Sequence, residues 1–386
     1  MPYFERDITE KLHRAATLFP CVVLTGARQV GKTTLLRHCF PDHEYVSLDL
    51  PSVAELADHD PDSFFRRHPG PLLIDEVQYA PGLFRHLKSR VDGDRHAMGR
   101  FLLTGSQKFP LMDAVAESLA GRAAILSLET LSAHEVALDA KTDYPALLHK
   151  GMFPEVWRQP AMDTQTFYSS YVATYLERDV RQVLNVSSLR DFERFIRSCA
   201  VRSGQLLNLT ELGRDAGIRL QTAKDWLNVL QTTNQIYLLE PYFENVGKRM
   251  VKSPKLYLTD PGMLCFLLGL DRASLRLTPL VGLIWETFVC AEFRKRHARS
   301  ESPLSLWFYR DGQGREVDFV EMGGGQLSLY EAKWVEEPDP RWLANVREAA
   351  GILERGVQQI GALGLICRTA AKFVKDGVTV LRPDQL

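Results

Sequence analysis

Short apolar runs that end in small or acidic residues recur through the first 130 positions of the chain. They occupy Cys21–Leu24, Leu72–Ile74 and Phe101–Leu103, and a helix-forming run, Thr33–Phe40, follows the first of them. Apolar runs without alternation are typical of strands buried on both faces of a parallel sheet. The pattern predicts an α/β domain whose ligand site lies at the carboxyl ends of its strands. An additional strand is predicted at His43–Leu50.

The last hundred residues have a different order of elements, α-β-β-β-α-β. A helix at Val281–His297 precedes strands at 304–309, 315–321 and 327–334, and a turn at Gly323–Gly325 joins the last two. A long helix follows, and then strands at 361–367 and 378–381. We therefore divide the chain into residues 1–130, a helical lid or connector at 131–187, a region at 188–280 and a C-terminal domain at 281–386. In the connector, aromatic residues from Phe167 to Tyr175 recur at helical spacing, which predicts a buried stripe.

The region 188–280 has the element order of a winged helix. Helices are predicted at 189–202, after Asn208 and at 220–232, and two strands follow at 236–241 and 255–259. The loop between those strands is basic, with Lys248, Arg249, Lys252 and Lys255. A helix in the major groove with a basic wing on the backbone would bind DNA. Asp225 on the reading helix argues against DNA, and such folds also bind proteins.

Composition limits the classes of function. The net charge of −1 excludes a global polycation, so DNA binding needs local patches. No apolar run approaches the ~20 residues that cross a bilayer, and the N-terminus lacks the pattern of a signal peptide. The six cysteines form no C-x-x-C pair. These features predict a cytoplasmic protein without a membrane partner.

The first apolar run leads into a glycine-rich loop with the pattern G-x-x-x-x-G-K-T. A loop of this kind between a strand and a helix curls its N–H groups around phosphate oxygens. Lys32 would reach the β- and γ-phosphates, and Thr33 would bind Mg²⁺. The predicted nucleotide-binding residues are Gly26, Ala27, Arg28, Gln29, Val30, Gly31, Lys32, Thr33 and Thr34, with ATP and Mg²⁺ as cofactors.

The second apolar run ends in Asp75-Glu76. Asp75 would hold Mg²⁺ through water, and Glu76 would polarise the water that attacks the γ-phosphate. The alternative is a solvated turn, but the position behind a phosphate loop favours catalysis. On the next strand, Ser106 or Thr104 can sense the γ-phosphate. Arg122, at a helix–strand junction, is either a finger for a neighbouring subunit's nucleotide or a surface arginine beside Gly121.

The C-terminal hairpin predicts a second site. Glu331 and Lys333 share one face of a strand, and the glycine turn can place Asp318 opposite them. Two carboxylates can bind a second Mg²⁺ or Mn²⁺, with Lys333 positioning water and Glu286 as an outer carboxylate. The alternative is a solvated hairpin with alternating charges.

These motifs carry a resemblance. Residues 1–130 resemble an AAA-type P-loop NTPase of the additional-strand class. Nearly the whole chain is similar to a prokaryotic group of ATP-binding proteins whose C-terminal domain of unknown function is related to PD-(D/E)XK nucleases. The resemblance implies an ATPase, a homo-oligomer with nucleotide near a subunit interface, and a D…ExK site at Asp318, Glu331 and Lys333. No clear second-sensor arginine occurs, and Arg178 and Arg181 are only candidates.

Three functions fit this sequence. The favoured one is an ATP-driven switch whose nuclease-like domain binds nucleic acid without cutting it. The alternatives are an ATP-regulated, metal-dependent nuclease and a signalling ATPase whose winged helix binds protein.

Overall fold

The computed structural model describes residues 3–106, 115, 117–175, 189–242, 253–302, 304–355 and 359–386. The chain forms two compact units. The N-terminal unit comprises Tyr3–Thr130 with Thr232–Asn234, and the C-terminal unit comprises Leu131–Gln231 and Gln235–Leu386. Within the described residues, no helix combines the length and apolar character that a membrane span requires.

A five-stranded parallel sheet forms the centre of the N-terminal unit. Its strands are β1 (Cys21–Thr25), β2 (Glu44–Ser47), β3 (Leu72–Asp75), β4 (Phe101–Gly105) and β5 (Ala123–Ser127), in the order β2-β3-β4-β1-β5. Strand β4, which is late in sequence, lies between β1 and β3. The carboxyl ends of β1, β3 and β4 therefore share one edge of the sheet, where ligands of open α/β sheets bind.

Helices flank this sheet and bury its apolar runs. They are α1 (Thr9–Leu18), α2 (Lys32–Cys39), α3 (Pro51–His59), α4 (Pro61–Arg67) and α5 (Leu83–Gly93). Every residue of β1, β3 and β4 is buried, as their unbroken apolar runs predict. Strand β2 is shorter than the predicted His43–Leu50, because residues 48–50 turn away from the sheet and lead into α3, which has Pro51 at its first position. Residues 107–114 and 116 lie outside the described part, and they include Asp113, Ala114 and Ala116 of the helix predicted at about Asp113–Ala120, before Arg122.

The C-terminal unit begins with three helices, α6 (Tyr144–Lys150), α7 (Pro154–Arg158) and α8 (Thr164–Tyr175). The predicted aromatic stripe is confirmed for Phe167, Tyr168 and Tyr171, whose side chains are buried and in ring contact with one another or with Phe153. These residues hold the helices together. Residues 176–188 lie outside the described part of the chain.

A small antiparallel sheet with three helices follows. The order is α9 (Leu189–Val201), β6 (Gln205–Leu206), α10 (Leu209–Ala216), α11 (Leu220–Thr232), β7 (Ile236–Leu239) and β8 (Lys255–Leu258). The strands pair as β6-β8-β7. Asn208 caps α10 by accepting a hydrogen bond from Glu211 N, and Gly217 ends α10 in the left-handed conformation. Strand β6 was not predicted, since two residues carry no periodic signal.

The remainder is a six-stranded mixed sheet with helices. After α12 (Pro261–Leu267) and α13 (Arg272–Leu275) come α14 (Val281–Arg299), β9 (Ser305–Arg310), β10 (Glu316–Gly323), β11 (Gln326–Ala332), α15 (Pro340–Arg355), β12 (Gln359–Ile366), β13 (Phe373–Lys375) and β14 (Val378–Leu381). The sheet order is β13-β14-β12-β11-β10-β9. The predicted element order is confirmed, with β13 as an addition.

Two local features of this sheet position Asp318. Gly324 and Gly325 have positive φ angles of 57° and 80°, which allow the tight turn between β10 and β11. The pairing of β10 with β9 shifts register between Val317 and Val320, which marks a β-bulge around Asp318. A bulge re-aims the side chains beside it, and here Asp318 to Glu321 are all buried.

Candidate functional site

The glycines of the phosphate loop have conformations that other residues adopt only with strain. Gly26 has a φ of 149° and Gly31 a φ of 94°. A Cβ atom on Gly26 would lie 2.2 Å from the carbonyl oxygen of Leu128, so no side chain fits there. Gly31 directly precedes α2, and the loop therefore leads into the N-terminus of a helix.

The Lys32 ammonium lies inside this loop. It donates hydrogen bonds to the carbonyl oxygens of Gly26 at 2.9 Å and Ala27 at 2.8 Å, and the residue is buried. The other predicted phosphate-loop residues differ in exposure: Val30 is buried, Arg28 is half-buried, and Gln29 and Thr34 are exposed. The loop thus holds a cation at its centre, which is the charge that a triphosphate requires.

Thr33 and Asp75 meet as predicted. The Thr33 hydroxyl donates to both carboxylate oxygens of Asp75 at 3.0 and 2.9 Å. Asp75 also accepts from the Thr104 hydroxyl and, at 3.0 Å, from Tyr45. A hydroxyl and a carboxylate in contact are the hard oxygen ligands that Mg²⁺ prefers, so these residues fit the predicted ion. Sequence reasoning missed Tyr45, because the position of β2 next to β3 is not visible in the sequence.

Glu76 has a left-handed backbone, with a φ of 55°. This conformation costs a non-glycine residue about 1–3 kcal/mol and is concentrated at functional sites. The Glu76 N–H donates to Thr104 Oγ1 at 3.2 Å. Its carboxylate accepts from Ser106 Oγ at 3.3 Å and from the Gln78 amide. The carboxylate is therefore held beside the predicted sensor residues at the ends of β3 and β4.

Arg122 forms a bidentate ion pair with Asp92 in its own chain, at 2.7 and 3.0 Å. This hydrogen bonding lowers the pKa of Asp92 to about 2. Arg122 also donates to the carbonyl oxygen of Ala120. A finger in trans would have to leave Asp92, and that role stays a prediction.

Arg6 is a further residue of the loop that sequence reasoning missed. Its buried guanidinium donates to the carbonyl oxygens of Val30 at 2.8 Å and Glu129 at 2.7 Å. It therefore ties the phosphate loop to the segment that follows β5. An isolated arginine before the first helix gives no signal of this contact.

Several predicted residues lie outside the described part of the chain. They are the second-sensor candidates Arg178 and Arg181 and three residues of the predicted basic wing, Lys248, Arg249 and Lys252.

In the C-terminal unit, the predicted D…ExK residues come together. Lys333 Nζ lies 2.6 Å from Glu331 Oε1 and 3.3 Å from Asp318 Oδ2. The backbone N–H of Ala332 donates to the same Asp318 oxygen at 3.0 Å. Both carboxylates are buried. Strand β11 ends at Ala332, so Lys333 lies one residue beyond the strand in which it was predicted.

Lys255 was assigned to the basic wing, and this prediction was wrong. Lys255 is buried in β8, and its Nζ lies 2.9 Å from Glu286 Oε1 and 2.6 Å from Glu316 Oε1. It lies 3.6 Å from Asp318 Oδ1. The physical reason is its pairing: β8 lies in the middle of its sheet, and the ammonium finds buried carboxylates instead of solvent. Tyr257, two residues on, donates to Glu286 Oε1 at 2.6 Å.

We call this group the carboxylate–lysine cluster. Its members are Lys255, Glu286, Glu316, Asp318, Glu331 and Lys333. Burial alone would lower the pKa of Lys255, but its three carboxylate neighbours outweigh burial and raise it. Burial also opposes ionisation of Asp318, yet the charges of Lys333 and Lys255 hold its pKa below the usual value. Burial and the charge of Asp318 raise the pKa of Glu331 to about 8.

The cluster does not fit the predicted second metal ion as it stands. Among the residues that the structure describes, no three His, Cys, Asp or Glu side chains are arranged to hold a metal. Two ammonium groups lie between the carboxylates instead.

Three segments of the chain match known families. Residues 19–137 match a family described as an AAA domain. Residues 141–274 and 281–383 each match a domain of unknown function, DUF8612 and DUF4143. The AAA match, with the parallel sheet and the phosphate loop, makes the N-terminal unit an AAA-type ATPase domain of the P-loop NTPase fold.

Among solved structures, the chain is similar to a Walker-type ATPase, PABY2304, of Pyrococcus abyssi. The identity is 18%, the TM-score is 0.45, and the match covers 69% of this chain and 96% of that one. A RuvB protein of Thermotoga maritima matches with 16% identity and a TM-score of 0.31, over 60% of this chain and 88% of that one.

Two curated relatives are the uncharacterized proteins Rv2008c of Mycobacterium tuberculosis and Mb2031c of Mycobacterium bovis. Each is 34% identical over 325 residues, which cover 83% of this chain and 71% of the relative. The chain therefore belongs to the family of these uncharacterized mycobacterial proteins, with an AAA domain in its N-terminal third.

Proposed function

We propose that this AAA-type ATPase hydrolyses ATP with Mg²⁺ and couples its nucleotide state to a C-terminal unit that binds nucleic acid without cutting it. The single observation that carries the ATP part is the contact between Thr33 and Asp75 at the mouth of the phosphate loop. Residues from two separate motifs meet there in the arrangement that binds Mg²⁺ in P-loop NTPases.

The binding step uses the charge inside the loop. Lys32 now donates to two carbonyl oxygens of its own loop. A triphosphate would offer stronger, charged acceptors, so Lys32 would exchange these hydrogen bonds for phosphate oxygens. Arg6 and the glycine conformations keep the loop in shape while this exchange takes place.

The hydrolytic step is assigned to Glu76. Its carboxylate is held next to Ser106, and its backbone is held by Thr104. A carboxylate fixed in this way can orient and deprotonate a water molecule. Mg²⁺, when bound, would neutralise charge on the phosphates. Arg122 would complete the site of a neighbouring copy in a homo-oligomer after release from Asp92.

The nucleic-acid part rests on the winged-helix order of α9 to β8. The exposed residues Gln221, Lys224 and Asn228 lie on one face of α11, the helix that would enter a major groove. Asp225, whose charge argues against DNA, accepts a hydrogen bond from Gln221 at 2.9 Å and is half-buried. The uncharged amide leaves the negative charge of Asp225 in place, so this residue still argues against DNA.

Binding is favoured over cleavage because of the state of the carboxylate–lysine cluster. A PD-(D/E)XK nuclease needs carboxylates that are free to hold a metal ion. Here Lys255, which is not part of the D…ExK motif, neutralises the carboxylates that would bind it. The α-β-β-β-α-β order supports a nuclease-like fold, and a fold alone does not imply its activity.

One experiment tests the three functions together. Purified protein is incubated with ATP and Mg²⁺ or Mn²⁺, with and without single- and double-stranded DNA and RNA, and both ATP turnover and strand integrity are measured. The proposal predicts turnover that nucleic acid stimulates, with intact strands. Strand cleavage would instead establish a nuclease, and turnover that ignores every nucleic acid would favour a protein partner.

Two variants separate ATP hydrolysis from nucleic-acid binding. Glu76→Gln should abolish turnover, by a factor of about 100 or more, without preventing DNA binding in a gel-shift assay. Lys224→Glu, on the exposed face of α11, should weaken DNA binding without affecting unstimulated turnover. Turnover that persists in Glu76→Gln contradicts the assigned base.

A further inference from the structure

The carboxylates of the C-terminal unit surround one point, and a side chain of the same unit occupies it. Three carboxylate oxygens, from Glu286, Glu316 and Asp318, lie 2.9, 2.6 and 3.6 Å from Lys255 Nζ. A divalent cation binds carboxylate oxygens at about 2.0–2.6 Å, depending on the ion. Glu286 and Glu316 would have to move by less than about 1 Å to coordinate a cation at that point, and Asp318 by about 1.0–1.6 Å.

A second observation points independently to a missing ligand. Glu331 is 6% exposed, and its Oε2 atom is buried without a hydrogen-bond partner among the described residues. Buried carboxylate oxygens are nearly always paired, so an orphan in a charged cluster indicates coordination that this arrangement lacks. The charges of Asp318 and Glu286 both raise the pKa of Glu331, which places Glu331 in the same electrostatic environment.

The lysine is fixed in this position by its strand. Lys255 pairs with Leu239 of β7 and with Leu206 of β6, so β8 is held on both sides. Its ammonium lies 5.6 Å from the centre of the Phe308 ring, a further favourable contact for a cation. The residue is 3% exposed, so the ammonium does not exchange freely with solvent ions.

We propose that the Lys255 ammonium takes the place of a divalent cation in the carboxylate–lysine cluster and excludes metal ions from it. The positive charge of this side chain then stabilises the buried carboxylates, as a bound cation would. The cluster becomes a metal site only when this charge is removed or withdrawn, with Glu286, Glu316 and Asp318 as the oxygen ligands at the vacated point and Glu331 as the neighbouring carboxyl group that lacks a partner. The proposal depends on neither ATP nor nucleic acid.

The test is Mn²⁺ binding to the full-length chain, followed by electron paramagnetic resonance of the free ion. All proteins carry Asp75→Asn, which removes the carboxylate of the nucleotide site, and no nucleotide or nucleic acid is present. Lys255→Met removes the charge at similar volume, and Lys255→Arg is the matched control that keeps it. We expect Lys255→Met to bind one additional Mn²⁺ at least tenfold more tightly than its parent. Lys255→Arg should bind as its parent does.

A second substitution locates the added ion. Asp318→Asn in the Lys255→Met protein should remove the gained Mn²⁺ binding. If Lys255→Met binds no more Mn²⁺ than its parent, or if the gain survives Asp318→Asn, the proposal is overturned.

The variant leaves buried carboxylates without their cation and can fail to fold in metal-free buffer. Far-UV circular dichroism during a Mn²⁺ titration then gives the result. Recovery of the helical signal with Mn²⁺, but not with an equal ionic strength of NaCl, supports the proposal. An unfolded variant that Mn²⁺ does not restore overturns it. These experiments measure Mn²⁺ binding and folding. The proposed function is tested separately, by ATP turnover and DNA binding, so the failure of one proposal can be distinguished from the failure of the other.

Discussion

Replacing Gly26 with alanine perturbs the phosphate loop at its most restricted position. The new Cβ would lie 2.2 Å from the Leu128 carbonyl oxygen, whereas ordinary contact begins at 3.4 Å. Either the loop or the segment after β5 must therefore move by about 1.2 Å. A misplacement of ~1 Å in a reacting group can reduce the rate about 100-fold. The backbone at a φ of 149° adds a strain of roughly 1–2 kcal/mol for any L side chain.

Substitutions of two other glycines in the same unit separate the steric clash from the backbone strain. Gly121 has a φ of 72° but no atom within 4 Å of an added Cβ, so Gly121→Ala introduces strain without a clash. Gly70 has neither a positive φ nor a neighbour within 4 Å. We expect Gly70→Ala to be within about 0.5 kcal/mol of wild type. Gly121→Ala should lose ~1 kcal/mol of stability and keep normal ATP turnover.

The assay is ATP turnover with kcat and KM measured separately, together with urea denaturation of each variant. Gly26→Ala should lose about 100-fold in kcat/KM, far more than its loss of stability would explain. If Gly26→Ala turns over ATP within about twofold of wild type, or if Gly121→Ala is equally impaired, the assigned loop geometry is wrong.

Three further substitutions give independent predictions. Asp92→Asn releases Arg122 and should preserve ATP turnover per chain, whereas Arg122→Ala should reduce it at least ~tenfold where the chain self-associates; equal effects would contradict a finger in trans. Tyr45→Phe removes a hydrogen bond to Asp75 and should raise the Mg²⁺ concentration for half-maximal turnover about tenfold, and an unchanged Mg²⁺ dependence would count against that contact. Burial raises the pKa of Glu331 to about 8, from 4.5, so its ionisation lowers stability as the pH rises through that interval. Glu331→Gln should therefore be more stable than wild type in urea denaturation at about pH 8.5 but not at about pH 5, and parallel pH profiles would refute this.

The sequence predicts the nucleotide site well because its chemistry is local. The predicted residues lie at the carboxyl ends of apolar strands or in the loop and helix that follow, and parallel strands bring these ends to one edge. Thr33 and Asp75 are 42 positions apart and still meet, since Thr33 lies in the first turn of the helix after β1 and Asp75 ends β3. Tyr45 and Arg6 were beyond reach, because their partners depend on which strand is adjacent and on where the chain passes after β5.

In the carboxylate–lysine cluster, the position of Lys255 could not be predicted from the sequence. Its neighbours along the chain, Lys248, Arg249 and Lys252, suggest a solvated basic loop. Its actual partner Glu286 is 31 positions away on a different element, and no local pattern distinguishes a buried lysine from an exposed one. The hairpin residues Asp318 and Glu331, by contrast, were predictable from the two-residue period of strands and the glycine turn between them.

The central claim is that ATP binds through the Lys32 ammonium and is hydrolysed through the Glu76 carboxylate. Calorimetric titration of ATP with Mg²⁺ into wild type, Glu76→Gln and Lys32→Ala tests it most directly. The account predicts that Glu76→Gln binds as tightly as wild type although it does not turn over, and that Lys32→Ala binds about 100-fold more weakly, or ~2.8 kcal/mol. Equal affinity in Lys32→Ala and wild type, or no heat of binding in any of the three, would contradict it.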